Sequence, residues 1–285
     1  MKRIFPYLLS GALGLLATAA GGTDASSTAA GPTAGGGNAL TLGQILEHYA
    51  AARGGVEAWH KVQTMAWTGH IESGPGGATK VPFLMLFQRP DATRFEMLSA
   101  GQHLIRVFDG RNGWKMRPTN AGLPEVSDYN VEDIRYARDA AGLDGPLFDS
   151  RAKGVGVGLQ GLDSVEGHKA YHLKVTLPSG QAHDDWIDAQ SFLELRYDRQ
   201  SHNASGQVGI VSVYLRNYQT FNGLVLPMTI ETGGPASRDT DKMVIEKVAL
   251  NPMIPESQFA KPTAPKTRHN GVLVNTQPGA PAVTQ

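Results

Sequence analysis

Two periodicities divide the chain. From Thr41 onward, Leu42, Ile45, Leu46 and Tyr49 recur at the three-to-four spacing of one helical face. Thr41 followed by Gln44 has the form of a capping box, and Gly54-Gly55 supplies a stop. A shorter helical piece, Val56 to Val62, carries Trp59. The period then changes to two. Met65, Trp67 and Ile71 alternate with Ala66, Thr68 and His70, and Gly74-Pro75-Gly76-Gly77 makes a turn. Val81 to Phe87 is apolar on both faces. Phe95 with Met97, Leu104 to Phe108, and Trp114 with Met116 form further strands, the last two joined across Gly110 to Gly113. Val131, Ile134, Tyr136 and Ala137 return to helical spacing until Gly142 to Pro146 breaks it.

The second half is strand and turn. Tyr171, Leu173, Val175 and Leu177 alternate with polar residues, and Ser179-Gly180 turns the chain. Trp186 to Asp188, then Leu193, Leu195 and Tyr197, then Val211, Val213 and Leu215 repeat the pattern. Leu224, Leu226, Met228 and Ile230 read as one strand, and Met243 with Ile245 as the last. Roughly ten strands in series with short turns predict an antiparallel meander. One face is apolar and the other mostly charged, so one face meets water. A sheet that long must curl or close to protect its edges. The expected fold is mainly β (α+β): a curved antiparallel sheet or partial barrel with helices packed in its concave face.

Composition narrows the partners. The 285 residues carry 26 basic and 26 acidic side chains, with no basic run longer than two. That balance argues against nucleic acid or an anionic membrane surface, both of which need a clustered positive field. There is no cysteine, which removes disulfides, thiolate metal sites and cysteine nucleophiles together. At the N-terminus, Met1-Lys2-Arg3 precedes a short apolar run and small residues that include Ala17-Thr18-Ala19. This is the form of a secretory signal, assigned to residues 1–20. Residues 21–39 read as a Gly/Ala/Ser/Thr linker, 40–260 as the folded domain and 261–285 as a proline-bearing disordered tail. The expected compartment is the bacterial periplasm.

Catalytic sets are hard to find. No G-x-S-x-G elbow occurs, and Ser179-Gly180 fits a plain hairpin turn. His168 and His172 are four apart but lie on a predicted strand, where that spacing spans about 13 Å, too far for one ion. Of His183-Asp184-Asp185, only His183 and Asp185 share a face, and a third ligand is missing. Asp109 to Gly113 lacks the acidic positions of a calcium loop. Neither a metal nor another cofactor is implied. Phe83, Met85 and Phe87 share one strand face, with Phe95, Met97, Trp114 and Met116 on nearby strands. Aromatic and methionine side chains suit an adaptable apolar site, although patterning by itself favours an ordinary core, which is what an apolar strand face usually is.

The run Phe87-Gln88-Arg89-Pro90-Asp91-Ala92-Thr93-Arg94-Phe95 is followed by Phe108-Asp109-Gly110-Arg111-Asn112-Gly113-Trp114. With the exported N-terminus and leading amphipathic helix, this order resembles the periplasmic outer-membrane lipoprotein-sorting carriers, the LolA/LolB-like family. Leu162 to Gly167 followed by Ala170 to Leu173, and Gly223 to Pro227, are similar to its broader branch. The resemblance spans about Thr41 to Phe259. It implies a half-open β-barrel whose apolar concave face is lidded by helices and holds acyl chains. Trp67, Phe83, Met85, Phe87, Phe95, Met97, Trp114 and Met116 would then line the cavity. Leu173, Val175, Val211, Val213 and Leu215 would form its far wall. Arg89 stands where the family's arginine bonds to the lid and holds it shut, taking backbone carbonyls as acceptors. The implied partners are lipid or lipoprotein acyl chains, with an inner-membrane donor complex and an outer-membrane acceptor. The chain is longer than the dedicated carriers, and without cysteine it does not match the lipidated receptor. Two other readings remain: an envelope interaction module with a filled core, docking through Val81 to Phe87, and a hydrolase, which lacks a nucleophile.

Overall fold

A computed structural model of the chain describes residues 40–99, 101–119, 124–202, 208–233 and 240–262. The expected signal peptide and linker, and residues 263–285 of the expected tail, lie outside the described residues. Helix α1 (Leu42–Ala52) starts at the expected capping box: the Thr41 side chain accepts from the Gln44 backbone N–H, and the Gln44 side chain accepts from Thr41. Ile45 and Tyr49 are its buried positions. Helix α2 (Val56–His60) is a single turn that buries Trp59. The first sheet wing is β1 (Thr64–Ser73), β2 (Thr79–Gln88), β3 (Ala92–Ser99), β4 (Gln102–Asp109), β5 (Gly113–Arg117) and β6 (Glu125–Asp128). Helix α3 (Val131–Ala140) follows, capped reciprocally by Asn130 and Asp133. The second wing is β7 (Gly156–Val165), β8 (His168–Thr176), β9 (Ala182–Asp188), β10 (Glu194–His202) and β11 (Val208–Arg216). The hairpin β12 (Gln219–Phe221) and β13 (Leu224–Leu226) precedes β14 (Thr229–Gly233) and β15 (Asp241–Leu250).

Thirteen of these strands form one open antiparallel sheet, in the order β6-β5-β4-β3-β2-β1-β15-β14-β11-β10-β9-β8-β7. The expected curved sheet with helices is therefore the observed fold. The chain makes each wing as a meander, and its first and last strands meet in the middle, Met65 opposite Leu250 through Glu72 opposite Lys242. Ladder β1–β15 shifts register between Thr68 and Gly69, because β15 carries one extra residue there. Such a bulge bends and twists the sheet. Gly69 is what lets the strands close over it: a Cβ there would lie 1.9 Å from the Val244 carbonyl oxygen. Gly69→Ala should cost about 1–3 kcal/mol, read as a lower urea midpoint at unchanged m-value.

The stretch Leu224 to Ile230 is two strands, not one. Pro227 has no N–H to give to a ladder, and the chain breaks there. Leu224 and Leu226 leave the main sheet and are buried in the principal core with Ile45, Tyr49 and Trp59. The Val225 N–H donates to the Arg53 carbonyl at 3.0 Å. Helices α1 and α2 and this hairpin together cover the concave face. No helix among the described residues is long and apolar enough to cross a membrane.

Candidate ligand cavity

The expected lining residues divide by location. Phe83, Phe95 and Met97 form one buried cluster with Met228 and Ile245, and Trp67, Met85 and Phe221 pack against it. The Phe83 and Phe95 rings stack with centroids 6.3 Å apart. Trp67 meets Phe87 edge-on at 4.8 Å. The concave face of the first wing is thus filled by the protein's own side chains. Leu173 and Val175 are fully buried beneath the helices, in the core that also holds Phe87. Val211 and Val213 are buried on β11.

Trp114 and Met116 do not join them. Leu86 pairs with Arg94, Arg94 with Val107, and Val107 with Trp114, while Ile105 pairs with Met116. Directly paired residues share a face, so Trp114 and Met116 lie with Leu86, opposite Phe83, Met85 and Phe87. Phe259 covers them there, and its carbonyl accepts from Trp114 Nε1 at 3.0 Å. Alternation fixes parity within a strand but not across a turn. Here Asp109 Oδ1 accepts from the backbone N–H groups of Arg111 and Asn112, setting a turn that puts Phe108 opposite Gly113.

An open cavity of about 1410 Å³ lies under the second wing. Its walls are the β2–β3 turn at Arg89-Pro90-Asp91, the end of α3 from Tyr136 to Ala140, the segment Gly142 to Pro146 with Lys153 and Val155, and the β8–β9 turn. Its inner surface includes His183, Glu194, Tyr197, Arg199 and Leu215. Of the residues expected at the site, Leu215 and Arg89 line this cavity.

Arg89 sits at the junction of sheet and cover. Its Nε donates to the Val62 carbonyl at 2.9 Å and its Nη2 to the Trp59 carbonyl at 3.1 Å, both at the end of α2. Nη2 also meets Asp144 Oδ2 at 2.9 Å. Asp144 is 2% exposed and is shared with Lys153, which also donates to the Gly145 carbonyl. One guanidinium therefore ties β2 to α2 and to the segment after α3. Burial alone would push the Asp144 carboxyl up, but its bonds to Lys153 and Arg89 outweigh this and hold it below the usual range. Asp133 docks α3 by the same device, receiving Lys115 and Arg106 from the first wing.

No protein-family profile matches the chain, and no curated protein matches it. Solved structures do. A LolA superfamily protein from Nitrosomonas europaea superposes with a TM-score of 0.54 at 14% identity, over 78% of this chain and 99% of that one. The fold is LolA-like. A DUF1329 family protein from Desulfovibrio piger superposes with a TM-score of 0.50 at 11% identity, over 77% and 97% of the two chains.

The polar inner end of the cavity in this LolA-like chain was not visible in the sequence. Arg53, 8% exposed, donates from Nε to the Val225 carbonyl and from Nη1 to Tyr49 Oη, both at 2.8 Å, with the Trp59 ring 4.9 Å away. It is a second anchor, pinning α1 to β13. Burial raises the Glu194 carboxyl to about 7, against the pull of the Arg53 charge. Burial and the nearby Glu194 raise Asp185 well above its usual range, with the Trp186 backbone amide pulling the other way. Burial lowers His183 to about 4, so its imidazole is neutral near neutral pH. The only local cue was composition: polar residues where the alternation places the inner face of β9 and β10.

These shifts act oppositely on stability. Asp144 binds its proton less readily folded than unfolded, so its contribution is present above about 3.8 and is lost as pH falls through its folded value. Glu194 binds its proton more readily when folded, so its contribution is present below 4.5 and is lost as pH rises through about 7. Melting temperature should therefore fall across that upper window, and Glu194→Gln should flatten the fall.

Proposed function

We propose that the chain is a periplasmic carrier, not an enzyme, that holds acyl chains of a lipid or lipoprotein in the cavity under its second wing and ferries them toward the outer membrane. The observation that carries this reading is the cavity of about 1410 Å³ on the concave side of an open sheet. It is larger than the roughly 300–1,000 Å³ of ordinary small-molecule sites. The LolA-like fold supports it, because the solved relatives include a protein described as LolA superfamily. The acyl chain would run along Leu215, Val155 and Leu177. The filled cluster around Phe83, Phe95 and Met97 would act as the rigid wall behind. Burying ten methylenes at ~0.8 kcal/mol each supplies about 8 kcal/mol before ordering costs. Arg89 is the latch: cargo entry requires the cover to shift, and its bonds to α2 and Asp144 set what that shift costs. An inner-membrane donor and an outer-membrane acceptor would load and unload it.

The test is to produce the chain in a bacterial periplasm, purify it without detergent, and compare native with denaturing mass spectrometry after lipid extraction. Bound lipid released on denaturation is the expected result. A lipid-free protein that also takes up no fluorescent fatty-acid analogue would overturn the carrier. The filled apolar face of the first wing would then favour an envelope docking module.

A further inference from the structure

The inner end of the cavity is built for something other than hydrocarbon. Strands β9 and β10 lie side by side there, with Asp185 directly opposite Tyr197. His183 and Tyr197 both line the cavity, as does Glu194. Residues 183 and 185 project to the same side of β9, so Asp185 lies on the cavity side of the sheet, buried behind the lining side chains of His183 and Tyr197. Asp185 is 1% exposed, and its Oδ1 has no hydrogen-bond partner. A buried polar atom left without a partner is costly and rare.

The groups facing this pair come from several elements. Arg53 and Tyr49 approach from α1 and Tyr218 from the residues after β11. His183 stands on β9, Tyr197 and Arg199 on β10, and Tyr136 on α3 near Tyr197. Arg53 gives its hydrogen bonds to Val225 and Tyr49, and reaches Glu194 by charge alone. Tyr218 donates to the Glu194 backbone carbonyl, not to its carboxylate. Elsewhere on the wall, Arg89 and Lys153 share Asp144, and Lys174 pairs with Asp184. Among the described residues, no cationic side chain donates a hydrogen bond to the carboxylate of Asp185 or Glu194.

We propose that Asp185 and Glu194 form a subsite for a protonated amine, so that the preferred cargo is an amine-bearing amphiphile. This rests on the carrier reading above. An ammonium brings N–H donors together with a positive charge. A carboxylate headgroup would meet Glu194 with like charge, and a hydroxyl would bring a donor without charge. Bound amine also favours the ionised carboxyls, reversing the effect of burial on both.

The experiment compares dodecylamine, dodecanol and dodecanoic acid as competitors of a bound fluorescent fatty-acid analogue on the full mature chain. Dodecylamine should bind roughly tenfold tighter than dodecanol at about pH 8, the scale of one charge-assisted hydrogen bond. The ratio should shrink toward unity at about pH 5, where Glu194 is protonated while the amine stays charged. Glu194→Gln should bring the ratio toward unity at both pH values, and Asp185→Asn should act the same way. If Asp185→Asn does not fold, the near-isosteric Glu194→Gln and the pH series still decide. Equal affinity for amine and alcohol, or preference for the acid, overturns the subsite while leaving the carrier intact. Failure of all three, and of the analogue itself, overturns both.

Discussion

Trp59→Ala should destabilise the protein by about 3–5 kcal/mol, the cost of removing a large buried aromatic. Trp59 is 0% exposed. Its ring lies 5.5 Å from that of Phe148 and 4.9 Å from the Arg53 guanidinium. Its Nε1 donates to the Arg53 carbonyl at 2.9 Å. The change removes packing on both sides, strips that carbonyl of a donor and leaves a cavity that the sheet cannot close. Helix α2 has 5 residues, too few to hold as a helix by itself. Its position depends on this ring, and with it the Trp59 carbonyl that receives Arg89. Urea denaturation gives the number. Trp59→Phe separates the contributions, since it keeps much of the packing and deletes the N–H. A loss below about 1 kcal/mol for the alanine variant would mean the cover is not anchored there.

Arg89→Leu should cost about 3 kcal/mol, because it leaves Asp144 buried with one cation instead of two. Asp144 is 2% exposed on its side chain and Lys153 is 30% exposed, so Lys153 can turn to water while Asp144 cannot. Arg89→Leu/Asp144→Leu should recover part of the loss, since an apolar pair carries no unmatched charge. The functional effect should run alongside: faster uptake and release of a fluorescent fatty-acid analogue. Destabilisation with unchanged exchange would leave Arg89 a structural ion pair and remove it as a latch.

The fold was legible in the sequence because period and punctuation agree over most of it. The capping box at Thr41 and Gln44, the turn glycines and the two-residue alternation each mark an element that forms. Strand β7 escaped because Gly156, Gly158 and Gly161 interrupt its alternation, and as an edge strand it is mostly exposed. The candidate site was legible only in part. Arg89 could be singled out because its motif is local. Asp144, Arg53 and Glu194 could not, because each meets a partner far along the chain, Arg89, Val225 and Arg53 respectively; Lys153 only joins the Asp144 pair that Arg89 completes. Trp114 and Met116 were assigned by a parity carried across a turn whose geometry the pattern does not contain. Phe83 and Phe95 were placed on the right face, but whether a face is a cavity or a core depends on what else arrives, here Phe221 and Met228.

The meeting of β1 with β15 at the centre of the sheet has a kinetic consequence. Nearly every other ladder joins strands that are neighbours along the chain, so each wing can assemble by short-range hairpin closures. The β1–β15 seam is the long-range search, and loop-closure entropy must be met before its contacts return anything. Refolding should therefore be governed by the docking of two preformed leaves along their shared spine, with Gly69 at the point where they must fit.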